Sequence, residues 1–302
     1  MILNGLVTRV ISEFCSVRVN KNKIYECKAK GIFRYNNYKI TVGDYVEFEI
    51  TDDNFKMGSI TKIFDRKNEL YRPRIVNIDR VVIVTAVANP TFASYLLNKY
   101  IAFVKILGTE PILAFTKVDL LPTNSPIRKQ LEWYKDLNYE IYYINNKLKR
   151  ANLEWMKFKS MLEENKITVF TGQTGAGKST TLNHLMPKLQ LQTQEISKAL
   201  NRGKHTTTKN ELYEYKNGFI ADTPGFSSFE LNDVTSFQLS RAYNFFNERY
   251  IYCKFKNCLH INVNIDDCAI INAVKKGEFP EFIYNDYVKI QEEIKKNERE
   301  KY

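Results

Sequence analysis

Residues 166–180 join an apolar run of strand length to a glycine-rich loop: Lys166-Ile167-Thr168-Val169-Phe170-Thr171-Gly172-Gln173-Thr174-Gly175-Ala176-Gly177-Lys178-Ser179-Thr180. The second half fits the pattern G-x-x-x-x-G-K-[ST], whose glycines let backbone N–H groups converge on phosphate oxygens. Lys178 would bring a positive charge to the outer phosphates, and the Ser179 hydroxyl is a ligand for Mg²⁺. A helix that begins near Lys178 would point its positive end at the same anion. The sequence therefore predicts a phosphate-binding loop between a strand and a helix.

A second motif, Asp222-Thr223-Pro224-Gly225, follows a predicted strand at 218–221. An acidic residue at a strand end beside a phosphate loop holds Mg²⁺ through water. The Gly225 N–H would then reach the terminal phosphate. Turns of this composition are common, so the interpretation depends on the position of the motif downstream of the glycine-rich loop.

A third motif, Thr116-Lys117-Val118-Asp119, follows a predicted strand at 111–116 and resembles the [NT]-K-x-D motif of guanine-nucleotide proteins. The Asp119 carboxylate can accept hydrogen bonds from both N1–H and N2–H of guanine, a donor pair that adenine lacks. Lys117 would lie along the plane of the base. Thr116 stands where Asn is usual and can supply only part of the hydrogen bonding of Asn.

The order of these motifs is inverted, because an ordinary GTPase places the phosphate loop before the base-reading motif. Either order can build the same sheet, since domain termini often lie close together and permutation is tolerated. Predicted strands and helices alternate between residues 73 and 230, which indicates a parallel sheet with helices on both faces. The sequence predicts an α/β fold: a circularly permuted P-loop GTPase domain.

Two elements after the phosphate loop are less regular. We expect a loop over the polar segment 188–210. Residues 211–215 and 218–222 are predicted to form a hairpin with Asn217-Gly218 as its turn.

The flanking regions have a different composition from the centre. Residues 1–72 hold five short alternating runs separated by Asn, Gly and Lys turns, which is typical of an OB-type β-barrel. An SH3-like barrel would give the same pattern. Residues 231–302 are predicted to be mostly helical. We therefore expect three domains, 1–72, 73–230 and 231–302.

The C-terminal region contains Cys253, Cys258, His260 and Cys268 within a short segment. A Cys₃His set suits tetrahedral Zn²⁺ and leaves no open position for catalysis, so we predict one structural zinc ion. In a small region without a large core, the metal would replace missing apolar burial. Cys15 and Cys27, in the predicted barrel, are interpreted as packing residues.

The overall composition limits the classes of partner and the cellular location that we expect. The 302 residues include 45 Lys plus Arg against 34 Asp plus Glu, a net charge of +11, which is compatible with a nucleic-acid partner. The same richness in Lys, Asn, Ile and Tyr is also what an AT-rich genome produces. No apolar run approaches the roughly 20 residues that cross a bilayer, and no secretory signal is visible, so we expect a cytoplasmic chain without a membrane partner.

Further segments, together with the inverted motif order, make the chain resemble the RsgA (YjeQ) family of circularly permuted ribosome-assembly GTPases. Val42-Gly43-Asp44, and Arg66-Lys67-Asn68 with Arg72-Pro73, resemble the barrel domain of that family. Gly203-Lys204-His205-Thr206-Thr207-Thr208 resembles its switch, with Lys204 in place of Arg. The segment 253–260 resembles its C-x-F-x-x-C-x-H zinc motif, although the spacer 261–267 before Cys268 is longer than is usual in the family.

This resemblance implies a GTPase that acts late in small ribosomal subunit maturation. It implies that the barrel and zinc domains bind the subunit and its rRNA, and that GTP hydrolysis is faster on the subunit and coupled to release of the protein. We expect a monomer that binds GTP and GDP.

Two switch residues are predicted to act in hydrolysis. Phe226 follows Gly225 where many GTPases place a water-positioning Gln, so basal hydrolysis should be slow. The resemblance makes His205 the candidate for orienting or deprotonating water, the alternative being an inert loop histidine. Thr207 is the expected second protein ligand of Mg²⁺. Because three threonines are adjacent, the neighbouring Thr206 or Thr208 could take this role instead. The alternative is a solvated Thr-rich loop without a ligand.

Two other functions compete with this interpretation. One is an ATP-using P-loop phosphotransferase, against which Asp119 argues. The other is a zinc-stabilised RNA-binding protein with a vestigial nucleotide site, against which the intact Lys178, Ser179 and Asp222 argue.

Overall fold

The computed structural model of the chain describes residues 1–21, 23–29, 39–71, 73–147, 153–189, 211–222 and 234–300. His205, Thr207 and Gly225 lie outside these ranges. So do residues 190–210, most of the segment in which a loop was expected. For Asp222 only the backbone is described.

The N-terminal region is a closed five-stranded barrel with the order β1-β2-β3-β5-β4. Its interior is apolar because alternate residues point inward, among them Val17, Tyr25, Phe48 and Ile60. The parallel pairing of β3 with β5 closes the barrel and confirms the OB-type prediction. The strands are β1 (Ile2–Ile11), β2 (Phe14–Asn20), β3 (Lys23–Ala29), β4 (Tyr45–Asp52) and β5 (Met57–Ile63).

The two barrel cysteines pack as expected. Cys15 on β2 lies directly opposite Cys27 on β3, and both side chains are buried. Burial raises the pKa of the Cys15 thiol to about 11 and that of Cys27 to about 12, so both stay protonated at neutral pH.

The Val42-Gly43-Asp44 segment joins the barrel to the rest of the chain. Gly43 has φ +95°, and a Cβ there would lie 2.1 Å from the Val76 carbonyl oxygen, so only glycine fits this close approach. The fully buried Asp44 accepts two hydrogen bonds from the Arg66 guanidinium, at 2.7 and 2.9 Å. The short strands β6 (Glu69–Tyr71) and β7 (Arg74–Val76) follow this junction.

The centre of the molecule is a six-stranded sheet with the order β10-β9-β8-β11-β13-β12. Every neighbouring pair is parallel except β12 with β13, as the alternation of strands and helices predicted. The strands are β8 (Arg80–Ala86), β9 (Glu110–Thr116), β10 (Glu140–Ile144), β11 (Ile167–Gly172), β12 (Tyr213–Tyr215) and β13 (Gly218–Asp222).

Helices cover both faces of the sheet. Helices α1 (Ser94–Ile106) and α2 (Pro126–Asp136) pack on the face that includes Ile83 and Phe115. Helices α3 (Leu153–Leu162) and α4 (Lys178–Leu185) pack on the opposite face, which includes Val84. Strand β8 is buried along its whole length, so both of its faces are apolar and no alternation is visible in its sequence.

The hairpin β12–β13 forms as predicted, but its turn lies one residue earlier than Asn217-Gly218. Tyr215 pairs with Gly218, so the two connecting residues are Lys216 and Asn217, and Lys216 takes the positive φ of 57°. Gly218 serves a different purpose, because a Cβ there would lie 2.3 Å from the Glu164 carbonyl oxygen.

The barrel touches the sheet region next to this hairpin. The Leu212 N–H donates to the Thr8 carbonyl on β1 at 2.8 Å. Arg18 on β2 donates to the Glu214 carboxylate at 2.5 Å, and its guanidinium lies 5.5 Å from the centre of the Phe219 ring. These contacts fix the barrel against the edge of the sheet that β12 occupies.

The C-terminal region is helical, as expected, and shares its core with the sheet. Asn98 on α1 donates to the Asp286 carboxylate at 2.8 Å, and its carbonyl accepts from the Tyr243 hydroxyl at 3.0 Å. The helices are α5 (Ser236–Leu239), α6 (Asn244–Arg249), α7 (Ala269–Lys275) and α8 (Glu281–Glu300). Within the described ranges, no helix combines the length and apolar character that spanning a bilayer requires.

Candidate nucleotide site and metal centre

The glycine-rich loop leaves the carboxyl end of β11, at the centre of the parallel sheet. Gly172 has φ +149°, and a Cβ there would lie 2.1 Å from the Val84 carbonyl oxygen of the neighbouring strand. Gly177 has φ +91° and immediately precedes α4. Both positions need glycine because an L side chain rarely adopts these angles. The loop residues Gln173, Thr174, Gly175 and Ala176 therefore lie between β11 and the N-terminus of α4, whose first residues are Lys178, Ser179 and Thr180.

The base-reading motif meets this loop at the end of β9. The Thr116 hydroxyl donates to the Ala176 carbonyl at 2.5 Å, and its side chain is fully buried. The Lys117 ammonium donates to the Gly175 carbonyl at 2.9 Å and also to the Asn89 carbonyl. Two segments that are 60 residues apart in sequence therefore form one edge.

Asp119 follows a sharp turn, because Lys117 adopts φ 59° and a short 3₁₀ turn runs from Val118 to Leu120. One carboxylate oxygen of Asp119 lies 3.1 Å from the Lys147 ammonium. The Asp119 side chain is 27% exposed, so it can meet a ligand from solvent. The ion pair holds an acceptor at the edge shared with the phosphate loop.

The loop after β10 also belongs to this edge, and the sequence analysis missed it. The amide nitrogen of Asn146 donates to the Thr181 hydroxyl on α4 at 3.0 Å. Asn145 and Lys147 flank it, and Lys147 pairs with Asp119. The available signal was the polar run Asn145-Asn146-Lys147 directly after a parallel strand, where ligand-contacting loops of α/β sheets lie.

Asp222 ends β13 beside the phosphate loop. Its backbone is in register with Phe170, two residues before Gly172. Its backbone position therefore agrees with the sequence expectation for an acidic residue at this strand end.

The four predicted metal ligands converge. The ligand atoms of Cys253, Cys258, His260 and Cys268 all lie within 4.8 Å of one another. His260 Nδ1 lies 3.6 Å from the Cys253 sulfur and 3.5 Å from the Cys268 sulfur, and those two sulfurs are 4.0 Å apart. A tetrahedral ion with Zn–S bonds of about 2.3 Å needs sulfur atoms roughly 3.8 Å apart. The donor set and its spacing therefore fit one tetrahedral metal ion.

The longer spacer before Cys268 does not remove this ligand from the cluster. A 3₁₀ turn over Ile265–Asp267 takes up the extra length. The Lys254 N–H donates to the Asp267 carbonyl at 3.0 Å, and the Lys254 ammonium lies 2.8 Å from the Asp267 carboxylate. Both contacts bring Cys268 next to Cys253.

Among these side chains, His260 has the ionisation state that metal binding requires, whereas the thiols must lose protons. Burial raises the pKa of the Cys268 thiol to about 12 and also raises that of Cys258. Burial, and secondarily the Arg241 cation, lower the pKa of His260 to about 4, so its ring is neutral and can offer a lone pair. Buried thiols of this kind lose their protons when a divalent metal replaces them.

Comparison with known proteins gives consistent matches. The family model RsgA GTPase matches residues 63–232, and the model RsgA N-terminal domain matches residues 4–60. The small ribosomal subunit biogenesis GTPase RsgA 2 of Oceanobacillus iheyensis is 40% identical over 294 residues, which cover 96% of this chain and 97% of that protein. The corresponding RsgA of Bacillus subtilis is 36% identical over 297 residues, covering 96% and 97%.

Solved structures agree in fold. The structure of YloQ, a circularly permuted GTPase, has a TM-score of 0.82 at 31% identity and covers 98% of this chain and 96% of its own. The structure of YjeQ from Thermotoga maritima has a TM-score of 0.82 at 29% identity, covering 97% and 99%.

Proposed function

This chain belongs to the RsgA family of circularly permuted GTPases, and from that premise we propose that it hydrolyses GTP in late maturation of the small ribosomal subunit. In this proposal it binds rRNA of the subunit and couples hydrolysis to its own release. The observation that carries the nucleotide part is the contact of Thr116 and Lys117 with the phosphate loop. That contact gives one edge both a phosphate cradle and, at Asp119, a base-reading carboxylate.

The residues at this edge divide the work of nucleotide binding. Asp119 would read the guanine donors, Lys117 and Val118 would line the base, and Thr116 would tie the base motif to the loop. Backbone N–H groups of the glycine-rich loop and the N-terminus of α4 would hold the phosphates. The proposed nucleotide contacts are Thr116 to Asp119, Gly172 to Thr180, Asp222 and Gly225.

Magnesium, when bound with GTP, would offset charge on the outer phosphates. Ser179 would place its hydroxyl at the ion, and Thr207 and Asp222 would complete the protein contribution. His205 would orient the attacking water or accept its proton when the chain is bound to the subunit. Phe226 has no group that can orient water, so turnover would stay slow without a partner.

The metal centre would be a structural zinc site. Cys253, Cys258, His260 and Cys268 would fill all four positions of a tetrahedral ion. The ion would then stabilise the turns of the C-terminal region without taking part in hydrolysis. The proposed domain boundaries are 1–72, 73–230 and 231–302, and the proposed state is a cytoplasmic monomer.

The test is the rate of GTP turnover with and without isolated small ribosomal subunits. We expect strong stimulation by the subunit and none for Lys178→Ala. His205→Ala should lose the stimulated rate and keep GDP binding. Equal rates with and without subunits would contradict the ribosomal part, while turnover of ATP in preference to GTP would favour a phosphotransferase.

A further inference from the structure

Arg241 lies between helix α5 and the segment that carries two of the metal ligands. One of its terminal nitrogens lies 3.1 Å from His260 Nε2, on the side of the ring opposite the cysteine sulfurs. The same nitrogen donates to the Cys258 carbonyl at 3.3 Å and to the Ser240 carbonyl at 3.2 Å. The other terminal nitrogen donates to the Lys256 carbonyl at 3.0 Å.

Aromatic rings hold this guanidinium in place. Its central carbon lies 4.0 Å from the centre of the Tyr250 ring and 5.0 Å from that of Phe237. Stacked guanidinium groups lose little freedom when they form several hydrogen bonds, because the planar fork is already organised. Arg241 is therefore built into the site rather than extended into solvent.

The contacts hold the backbone around one ligand. The guanidinium donates to the Lys256 and Cys258 carbonyls, so the turn that presents the Cys258 sulfur is tied to Arg241. Nδ1 of His260 faces the other two cysteine sulfurs and is the nitrogen that would bind a metal.

The charge of Arg241 also suits the site. A divalent ion with three thiolates and a neutral imidazole carries a net charge of about −1. Arg241 is a cation in direct contact with the side chain of one ligand, His260. A positive group at 3.1 Å from the ligand ring lowers the cost of placing that charge in a buried site.

We propose that Arg241 is a positioning residue of the metal centre: it holds the 256–258 backbone, which carries the ligand Cys258, in ligating geometry and compensates the charge of the bound ion. This proposal rests on the proposed metal site and adds a residue outside the Cys₃His set. It predicts that metal affinity depends on the forked geometry of the Arg241 guanidinium as well as on its positive charge.

The experiment measures Zn²⁺ affinity of the full chain by competition with a chromogenic chelator at fixed pH. We expect Arg241→Gln to weaken Zn²⁺ binding on the order of 10–100-fold, the usual effect of losing an outer-shell partner. Arg241→Lys keeps a charge but has no fork, so it should recover only part of the loss. The matched control is Arg249→Gln, a cation of the same region that pairs with Glu278, and its affinity should equal that of the unchanged chain.

A spectroscopic readout separates positioning from general stability. The Co²⁺-loaded chain should show a tetrahedral d–d absorption band that shifts or loses intensity in Arg241→Gln and stays unchanged in Arg249→Gln. GDP binding, measured on the same samples, verifies that the sheet region of each variant is folded, and amide-exchange protection of α8 verifies that the C-terminal helices are folded. Zn²⁺ affinity in Arg241→Gln equal to that of the unchanged chain would overturn the proposal. An unchanged chain that binds no Zn²⁺ would instead contradict the proposed metal site itself.

Discussion

The nucleotide edge and the metal centre are built in opposite ways. At the nucleotide edge, backbone carbonyls, glycines and a helix N-terminus lie at the ends of buried parallel strands, with apolar cores on both faces of the sheet. At the metal centre, four side chains converge from turns, and the regular structure between residues 250 and 268 is limited to 3₁₀ turns at Tyr250–Tyr252 and Ile265–Asp267.

This difference shows whether each site depends for its geometry on the surrounding fold or on a bound ligand. The sheet would hold the phosphate loop in shape without a ligand, because packing and strand pairing fix Gly172 and Thr116. The turns around Cys253 and Cys258 have packing but no strand pairing, so their geometry should depend on the bound ion. In the first region the sheet positions the nucleotide-binding residues, whereas in the second the bound ion would stabilise the turns that carry its ligands.

The largest expected effect is the loss of the metal. Removing it with a chelator, or by Cys258→Ser, should abolish amide-exchange protection over 250–268, because structural zinc sites contribute on the order of 10 kcal/mol of apparent binding energy. GDP affinity should persist, since strand pairing and the core on the Val84 face of the sheet also support the nucleotide edge. Hydrogen exchange and calorimetry on the same sample check both results.

The matched control is Cys15→Ser, which alters a buried cysteine in the barrel and should leave zinc content unchanged. If GDP binding disappeared together with the zinc, the two regions would form one cooperative unit and the contrast between them would be wrong.

A smaller effect is expected for Gly172→Ala. The new Cβ would lie 2.1 Å from the Val84 carbonyl oxygen at φ +149°, so the strand must shift at a cost of about 3 kcal/mol. Thermal or urea unfolding measures this loss. Gly108→Ala is the control, because that glycine has φ +75° but open space around it, and only about 1 kcal/mol of conformational cost should remain. Equal losses in the two variants would contradict the steric argument.

Thr116→Val should change the nucleotide site more than the fold. It removes the hydroxyl that bonds the Ala176 carbonyl and leaves the shape of the side chain. The phosphate loop would lose one hydrogen bond to the base motif. GDP affinity should therefore fall about tenfold, which corresponds to about 1.4 kcal/mol of binding free energy. Thr109→Val removes a similar buried bond, to the Val104 carbonyl, far from the site and should leave GDP affinity unchanged. Calorimetric titration compares the two variants.

The smallest effect concerns a barrel surface charge outside both sites. Hydrogen bonds from Tyr25 and then Lys56, with the Lys23 charge, lower the pKa of Asp53 from its ordinary 3.8 to about 2. The stabilisation is therefore present above about pH 4 and is lost as the pH falls through 2. NMR titration should show the pKa of Asp53 rising towards 3.8 in Tyr25→Phe. An unchanged pKa would show that the Tyr25 hydroxyl has no such role.

Much of the fold was predictable because its signals are local. The apolar run before Gly172, the glycines of the loop and the Cys₃His spacing each constrain a short segment. The inverted order of the base and phosphate motifs was enough to predict the permuted sheet. The five barrel strands could be predicted from alternation alone, although alternation could not fix the order in which they pair.

The missed features depend on contacts between distant segments. Lys147 lies beside Asp119 only because of the way β10 pairs with β9. Arg241 contacts the metal centre only because the chain after α5 lies against the 256–258 turn. The hairpin turn was misplaced for the same reason: Gly218 is required by the approach of the Glu164 carbonyl, not by the turn. Short polar runs carry little information about such partners.

The central claim is that Asp119 and the phosphate loop form a single guanine-nucleotide site. The direct test is calorimetric titration of the unchanged chain and of Asp119→Asn with GDP and with xanthosine diphosphate. Xanthine carries a carbonyl where guanine has its N2 amine, so an amide at position 119 should pair with it. We predict that Asp119→Asn loses GDP affinity by a factor on the order of 10⁴ and gains affinity for xanthosine diphosphate. Undiminished GDP binding by Asp119→Asn would contradict the account.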